Sequence, residues 1–352
     1  MKQKDFALYR FPNEKDIHRV AVCADSLIVV NDIGELKGRN GFVVAPFSVS
    51  DECKVVLIDG AESEIVDEKT LTDCDDLAFR TDVFDDADFD ISDDERARYA
   101  RDFRRFHDLT CGGETEKIVL SRMSSVPIRC TLRQTLQMFL HACRLYPDAF
   151  VALVSTKATG VWLVATPEIL VEGNADEYRT MALAGTMKGG TDAEWSEKNR
   201  HEQRIVADFI RQNLKNHATD IRESSPETVQ AGDICHLRSL FKFRIQQAEN
   251  IFSVVKSLHP TPAVCGLPQA ETRRFILQNE SCRRLYYSGF MGEVNASGAL
   301  RLYVSLRLMH ICRDRCWLYA GGGIMPDSTE WDEWNETMMK MKTMKRLFKI
   351  EE

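Results

Sequence analysis

The chain has 352 residues, enough to bury a sizeable core as one large domain or two closely packed halves. Its net charge of −8 argues against nonspecific nucleic-acid binding, which needs a basic surface, but still allows an anionic small substrate in a basic pocket. Hydrophobic residues make up 44% of the sequence, yet no apolar run approaches the roughly 20 residues that span a bilayer, so no membrane partner is expected.

The amino terminus and the cysteines indicate a cytoplasmic protein. The first eleven residues, MKQKDFALYRF, lack the continuous apolar core of a signal peptide. The cysteines are scattered, and the closest pair, Cys312 and Cys316, has no second pair or histidine at zinc-site spacing. We therefore expect free thiols in a reducing cytosol rather than structural zinc.

Residues 1–96 are predicted to form a strand-rich segment that belongs to the same globule as the rest of the chain. Short apolar strands are expected at Arg19–Cys23, Ser26–Val30 and Gly41–Ala45. An acidic stretch runs from Asp73 to Glu95, with ten aspartates in its first 22 positions. Because these aspartates show no fixed ligand spacing, we interpret the stretch as a solvated loop rather than a metal site.

Longer elements follow in the remainder of the chain. Apolar periodicity predicts helices at Ser92–Leu109, Leu132–Leu145, Glu194–Leu214 and Trp331–Phe348. Short apolar runs predict strands at Lys117–Ser121, Phe150–Val154, Val161–Val164, Tyr286–Glu293, Leu300–Met309 and Cys316–Ala320. Strands joined by short turns, followed by long helices, favour an α+β fold with antiparallel sheets over a doubly wound fold.

Three helical glutamates are candidate metal ligands. Glu333 and Glu336 lie three residues apart and project from one face of the last helix, whereas Glu202 lies on the helix Glu194–Leu214. Carboxylates that converge from two helices suit Mg²⁺, a hard cation that keeps several waters. Taken singly, each helical glutamate is more often a solvated surface residue.

Other side chains stand at positions where chemistry could occur. Lys117 opens the strand KIVLSR, where a lysine is usually exposed but could act as a base in a desolvated cleft. Arg307 interrupts LYVSLRLMH and needs an anionic partner, either structural or from a substrate. His259 lies in a proline-rich loop that we expect to be rigid. Glycine turns at Leu183–Thr186 and Ala320–Gly323 could let backbone amides approach a ligand, without the pattern of a nucleotide-binding loop.

Eight segments in a fixed order carry a resemblance to a known family: KIVLSR, TPEIL, LAGT, RHEQRIV, LHPTPAVCG, YYSGFMGEV, LYVSLR and AGGGIMPDSTEWDEWNET. They resemble the chorismate-binding core shared by anthranilate, aminodeoxychorismate, salicylate and isochorismate synthases. The resemblance makes residues 97–352 the catalytic core, and residues 1–96 are similar only in being strand-rich. It implies two packed antiparallel β-sheets with flanking helices and an active site in the crevice between the halves.

The resemblance also implies a metal and a set of substrate contacts. Glu202 and Glu336 would hold Mg²⁺ against the ring carboxylate of chorismate, with Glu333 supporting it through water. The residues that would bind the substrate, chiefly its two carboxylates, are Gly185, Thr186, Tyr287, Arg307, Gly321 and Lys340.

Catalytic roles follow from the same resemblance. Lys117 would be the general base that deprotonates the water attacking ring carbon 2. Glu168, in TPEIL, would be the general acid that protonates the hydroxyl leaving carbon 4, and His259 would lie near that hydroxyl. Such an acid and base must be protonated glutamic acid and neutral lysine in the same site, so both pKa values must move toward neutrality.

Three features favour water over ammonia as the nucleophile. The ammonia-using members lack a lysine at the position of Lys117, and aminodeoxychorismate synthases instead have one at the position of Ala184. The sequence HPTPA, here His259–Ala263, is typical of the isochorismate and salicylate branch. We therefore expect an isomerase that makes isochorismate. A salicylate synthase, which also eliminates pyruvate, is the main alternative; an aminating enzyme or a noncatalytic chorismate-binding protein is favoured less.

The remaining expectations concern partners. The resemblance implies chorismate as the small-molecule substrate and Mg²⁺ as the cofactor, with neither nucleic acid nor membrane involved. We expect a monomer, although the sequence leaves the oligomeric state open. It also leaves menaquinone and siderophore formation open as the pathway, and the absence of a fused module favours menaquinone.

Overall fold

The computed structural model describes residues 3–60, 63–72, 76–84, 94–189, 194–247 and 250–349. Of the acidic stretch Asp73–Glu95, residues 73–75 and 85–93 lie outside these residues, and there the expected solvated loop stays a prediction. Within residues 76–84 the expectation was wrong, because Leu77, Ala78 and Phe84 are buried and Asp76 pairs with Lys4 and Arg19. No helix in the described part of the chain is long and apolar enough to cross a membrane.

Strands are numbered in chain order, and those of the described residues form two sheets in which neighbouring strands run antiparallel. The first sheet has the order β15-β7-β19-β18-β9-β8-β1-β2-β6. Its strands are β1 (Lys4–Arg10), β2 (Ile17–Cys23), β6 (Glu64–Val66), β7 (Lys117–Val126), β8 (Phe150–Thr156), β9 (Gly160–Thr166), β15 (Gly266–Leu267), β18 (Leu308–Ile311) and β19 (Cys316–Ile324).

The second sheet has the order β12-β14-β11-β10-β17-β16-β4-β5-β3, and β13 pairs with β14. Its strands are β3 (Ile28–Val30), β4 (Gly41–Ala45), β5 (Val55–Asp59), β10 (Ile169–Gly173), β11 (Tyr178–Lys188), β12 (Thr219–Glu223), β13 (Glu227–Ala231), β14 (Ile234–Arg244), β16 (Phe290–Val294) and β17 (Leu300–Val304).

Helices cover the outer faces of the sheets. Their bounds are α1 (Glu68–Thr72), α2 (Glu95–Cys111), α3 (Leu132–Leu145), α4 (Glu197–Lys215), α5 (Ile251–Leu258), α6 (Gln269–Asn279) and α7 (Glu330–Lys345). Short 3₁₀ turns occur at Ala24–Ser26, Ile33–Leu36 and Arg346–Phe348. Thr131 caps α3 with a capping box, in which its side chain accepts from Gln134 N and the Gln134 side chain accepts from Thr131 N.

Side chains that alternate between the two faces of each strand form three apolar layers. On β8, Ala152 and Val154 pack into the core between the sheets, whereas Val151 and Leu153 pack outward against α3 and α7. A third cluster lies between the second sheet and helices α4 and α5. Because both faces of the sheets are covered, central strands such as β8 are buried along their whole length. The prediction of an α+β fold with two antiparallel sheets is confirmed.

Strands from residues 1–96 lie in both sheets, since β1 pairs with β8 in one and β4 pairs with β16 in the other. The proposed boundary between residues 96 and 97 stays a prediction. Two predicted elements have the predicted bounds, the strand Gly41–Ala45 and the helix Leu132–Leu145.

Two predicted strands were wrong in extent. The segment Tyr286–Glu293 becomes a strand only at Phe290, because Leu285 and Ser288 adopt left-handed backbone angles, with φ of 51° and 62°. The segment Leu300–Met309 is two strands, β17 and β18, that belong to different sheets. Arg307 lies at the crossover between them with a φ of 47°, not within a strand.

Both predicted glycine turns were also wrong. Ala320–Gly323 lies inside β19, which continues to Ile324 and pairs with β7 along its length. Leu183–Thr186 lies inside β11, where the register with β14 shifts between Ala184 and Met187 and Gly185 has a φ of 71°. The glycines therefore mark a bulge and a close approach within strands.

Candidate active site

A small cavity of about 40 Å³ brings together most of the residues for which the resemblance implied a role. Its walls come from β7 and β19 of the first sheet, from β11 and β14 of the second, and from helices α4 and α7, so it lies between the two halves. Eight of the expected site residues line it: Lys117, Glu168, Gly185, Thr186, Glu202, Arg307, Gly321 and Lys340.

Glu168 is a buried carboxyl group in this cavity. It lies in the two-residue connection between β9 and β10, and its side chain is only 3% exposed. Burial raises the pKa of Glu168 to about 7, against the opposing positive charges of Lys117, Arg307 and Lys340. Near neutral pH this carboxyl can therefore hold a proton and donate it, as a general acid must.

Lys117, the first residue of β7, forms a buried ion pair with Glu202 of α4. The Lys117 Nζ lies 2.8 Å from the Glu202 Oε1, and Lys117 is 1% exposed. A methyl group on Gly323 would lie 2.5 Å from the Lys117 Cε and 2.6 Å from the Glu202 Oε1. A side chain at position 323 would therefore displace this pair, and the lysine must leave Glu202 before it can act as a base.

Glu333 and Glu336 differ in protonation although they lie one turn apart. Burial, followed by the charge of Glu336, raises the pKa of Glu333 to about 7, and its Oε1 accepts from Lys198 and Ser328 at 2.9 and 2.8 Å. Burial also acts to raise the pKa of Glu336, but Lys340 and a hydrogen bond from Thr186 outweigh it and lower the pKa. Glu336 is therefore the charged member of the pair.

The donor set fits Mg²⁺ in its chemistry, because carboxylates from α4 and α7 are the oxygen ligands that this cation takes. Glu202 and Glu333 lie close to two adjacent glycines of β19. A methyl group on Gly322 would lie 2.7 Å from a Glu333 oxygen, and one on Gly323 would lie 2.6 Å from the Glu202 Oε1. Across the ranges described, no three side chains of His, Cys, Asp or Glu already cluster as a metal site. Mg²⁺ often needs only one or two carboxylates plus water, so Glu202 and Glu336 would suffice once their lysines move aside. The metal assignment stays a prediction.

Arg307 contacts a histidine that the sequence reasoning missed. The Arg307 Nη2 lies 2.9 Å from the His236 Nε2, and the His236 Nδ1 lies 2.8 Å from the carbonyl oxygen of Gly185. Because the Gly185 carbonyl only accepts, the Nδ1 carries the proton and the Nε2 accepts from Arg307. Burial, and then the charges of Arg307 and Lys340, lower the pKa of His236 to about 3, so the ring is neutral.

This contact bears on the two partners that the sequence left open for Arg307, a structural carboxylate or a substrate one. Within the described residues it forms no ion pair with a carboxylate, and its neighbour is a neutral imidazole. The guanidinium is therefore left with charge to offer an anionic ligand. The signal for His236 was a histidine inside the strand sequence ICHLRSLF, where the alternation places it on the same face as the apolar Ile234.

His259 does not line the cavity of Lys117 and Glu168, contrary to the expectation that it lies near the reacting hydroxyl. Its Nε2 lies 3.2 Å from the Pro46 carbonyl oxygen, and its ring faces a separate cavity. Tyr287 is buried just behind the cavity wall, since a methyl group on Gly321 would lie 3.0 Å from its hydroxyl. Lys340 donates to the Gly321 carbonyl at 2.7 Å.

Comparisons with known proteins agree with the fold. A family described as chorismate binding enzyme matches residues 67–349. Isochorismate synthase EntC of Escherichia coli is 27% identical over 251 residues, which cover 68% of this chain and 64% of that protein. The salicylate biosynthesis isochorismate synthase of Pseudomonas aeruginosa is 30% identical over 244 residues, which cover 66% of this chain and 51% of that protein. The chain thus spans less than two thirds of either relative. The solved structure of MenF, the menaquinone-specific isochorismate synthase of Escherichia coli, superposes with a TM-score of 0.79 at 20% identity, covering 99% of this chain and 89% of that one.

Proposed function

Because the chain belongs to the chorismate-binding enzyme family, we propose that it is an isochorismate synthase, an isomerase that converts chorismate to isochorismate. One observation carries the proposal: a buried glutamic acid with a pKa near 7 shares one cavity with a buried lysine and an arginine that has no carboxylate partner among the described residues. The relatives named isochorismate synthase support it.

The charges of the cavity suit a dianionic substrate. Arg307 and Lys340 are placed to bind the two carboxylates, and the guanidinium geometry favours a bidentate contact. Glu202 and Glu336 would hold Mg²⁺, which when bound would neutralise substrate carboxylate charge and fix its orientation. His236 orients Arg307 by accepting its hydrogen bond.

The proposed reaction exchanges one hydroxyl group for another on the ring. Lys117 removes a proton from a water whose oxygen bonds to carbon 2, and the ring double bonds shift as the carbon 4 to oxygen bond breaks. Glu168 protonates the departing hydroxyl, which leaves as water, because hydroxide is a poor leaving group. Each turnover thus consumes one water and releases one. The lysine ends with a proton from the attacking water and Glu168 ends as a carboxylate, so one proton must pass from Lys117 back to Glu168 before the next turnover.

Substrate binding requires the lysine–glutamate pairs to open. A cavity of about 40 Å³ is far smaller than the roughly 150 Å³ that accommodates a benzene ring. Two ion pairs adjoin this space. The Lys117 Nζ lies 2.8 Å from the Glu202 Oε1, and the Lys340 Nζ lies 2.6 Å from the Glu336 Oε1. We therefore expect the substrate to separate them, which would release the Lys117 amine for its role as a base.

Product analysis tests the proposal. Purified protein is incubated with chorismate and Mg²⁺, and the products are separated by chromatography. We expect isochorismate alone, labelled at carbon 2 when the reaction runs in H₂¹⁸O, and no aminated product when ammonium is present. Salicylate with an equal amount of pyruvate would instead identify a salicylate synthase, and an aminated product would place the chain in the ammonia-using branch.

A further inference from the structure

A second cavity of about 220 Å³ lies beside the loop that carries His259, between the ends of β4 and α5 and the helix α6. It shares no lining residue with the cavity of Lys117 and Glu168. Its apolar wall includes Phe47, Val255 and Phe290. Since a cavity of about 150 Å³ holds benzene, this one has room for a substituted six-membered ring.

The charge of this cavity is set by Arg273 of α6. Its Nη2 donates to the Ser48 Oγ at 3.0 Å, and no carboxylate among the described residues pairs with it. The other cation of the wall, Lys256, is neutralised by Asp32, with 2.7 Å between the Lys256 Nζ and an Asp32 oxygen. The cavity therefore has one uncompensated positive charge, which suits a monoanion.

His259 adds an unsatisfied hydrogen-bond acceptor. Its Nε2 must donate to the Pro46 carbonyl, which leaves the Nδ1 lone pair as an acceptor, and that buried atom has no partner among the described residues. Burial lowers the pKa of His259 to about 4, so the ring is neutral near pH 7. A ligand hydroxyl group would supply the missing donor.

We propose that this cavity binds a small six-membered-ring monocarboxylate that carries a hydroxyl group. The carboxylate lies on the Arg273 guanidinium, the hydroxyl donates to the His259 Nδ1, and the ring packs between Phe47 and Phe290. This assignment concerns a second site and does not depend on the reaction catalysed in the first.

The chain segment between His259 and Arg273 connects this cavity to Lys117. Along it, Ala263 lines the catalytic cavity, and Leu267 pairs with Lys117 across the sheet. A methyl group on Gly266 would lie 2.4 Å from the Lys117 carbonyl oxygen, so the two backbones are in direct contact. A ligand that joins His259 to Arg273 restrains both ends of this segment and thereby acts on the strand of the lysine.

Calorimetric titration of the full chain with 3-hydroxybenzoate tests the site, because this probe has the ring, the carboxylate and a hydroxyl group that its own carboxylate does not bind. We expect Arg273→Met to weaken binding by about tenfold or more, since it removes the charged donor and keeps the aliphatic stem. Arg274→Met, at the exposed next position of the same helix, is the matched control and should leave binding unchanged. Benzoate should bind more weakly than the probe.

A second variant and a kinetic test separate this cavity from the catalytic one. Val49→Trp, which fills the new cavity from its half-exposed side, should also abolish binding, whereas Arg307→Ala in the catalytic cavity should retain it. In turnover assays, which rest on the proposed function, 3-hydroxybenzoate should lower kcat at saturating chorismate with little change in KM. Unaltered binding in Arg273→Met, loss of binding in Arg307→Ala, or purely competitive inhibition would overturn the proposal.

Discussion

Glu168 and Lys117 share one cavity but have different partners. Glu168 is held among cations that lower its pKa less than burial raises it, and Lys117 is held by the carboxylate of Glu202. A glutamic acid that keeps its proton near pH 7 can protonate a leaving group, and a lysine becomes a base only when its carboxylate partner withdraws. The proposed reaction therefore depends on how these two side chains change when substrate enters.

Glu168→Gln should lower turnover by ~10²-fold or more, because the amide cannot protonate the leaving hydroxyl. In the wild type the acid must be protonated, so activity should fall as the pH rises through about 7, the pKa of Glu168. The variant should lose this alkaline limb. Initial rates across pH 5–9 at saturating chorismate give both results, and an unchanged alkaline limb in the variant would assign the acid to another group.

The same substitution should change how stability depends on pH. The pKa of Glu168 is about 7 in the folded chain against 4.5 for an unperturbed glutamic acid, so the unfolded chain ionises first as the pH rises. The wild type therefore loses stability between about pH 4.5 and pH 7, by roughly 3 kcal/mol in total. Urea unfolding gives the free energy of unfolding of Glu168→Gln and of the wild type at each pH. The difference, variant minus wild type, should be larger at pH 8 than at pH 4 by about this amount.

Lys117→Ala should lower turnover by ~10²-fold or more with a much smaller change in chorismate affinity, since binding is assigned to Arg307, Lys340 and the metal. Lys242→Ala is the control, because it removes the lysine of a lysine–glutamate pair at the surface, with Glu177, and it should leave turnover unchanged. The double variant of Lys117 and Glu168 should be little slower than either single variant, because both groups serve one displacement. Near-normal turnover in Lys117→Ala would place the base elsewhere.

At the scale of elements, the cavity depends on where strands stop. The chain leaves β17 in the second sheet at Val304 and enters β18 in the first sheet at Leu308. Arg307 stands in this crossover in the left-handed region, which costs a residue with a Cβ roughly 1–2 kcal/mol. The crossover places the guanidinium between the two sheets, in the wall of the cavity.

Arg307→Ala and Arg307→Gly should both raise KM strongly with a smaller effect on kcat, because each removes the charged clamp. The glycine variant should be more stable than the alanine variant by roughly 0.5–1 kcal/mol, since glycine adopts a positive φ without strain. Steady-state kinetics and urea unfolding of the pair separate the two effects. Equal KM values in the wild type and both variants would exclude Arg307 from substrate binding.

At the scale of the whole molecule, the packing of the two halves puts three acidic and three basic side chains around one stretch of β19. Glu202 comes from α4 on the second sheet, and Glu333 and Glu336 come from α7 on the first. Each glutamate is paired with a lysine within 3 Å, which balances the buried charge. In the proposed function a divalent cation would replace Lys117 and Lys340 as the partner of Glu202 and Glu336.

Chelation with EDTA should abolish activity, and added Mg²⁺ should restore it. Glu336→Gln should be inactive at ordinary Mg²⁺ concentrations while it remains folded, and calorimetry should show weakened Mg²⁺ binding. Glu330→Gln, at the start of the same helix in a surface pair with Arg96, is the control and should behave as the wild type. Full activity in excess chelator would remove the metal from the proposal.

The sequence by itself determined the α+β class and the existence of several of the elements. Local apolar periodicity set the bounds of the helix Leu132–Leu145, and alternation identified strands such as Gly41–Ala45, because both patterns follow from geometry within one element. The ordered segments also identified the family, and with it most of the residues that line the catalytic cavity.

Only the tertiary structure decided which side chains meet. The sequence gives no sign that Leu300–Met309 divides between two sheets, since both parts are equally apolar. Nor does it separate His236, which contacts Arg307, from His259, which faces another cavity. These outcomes depend on contacts between residues far apart in the chain, and such contacts are fixed by the packing of the two sheets rather than by any local pattern.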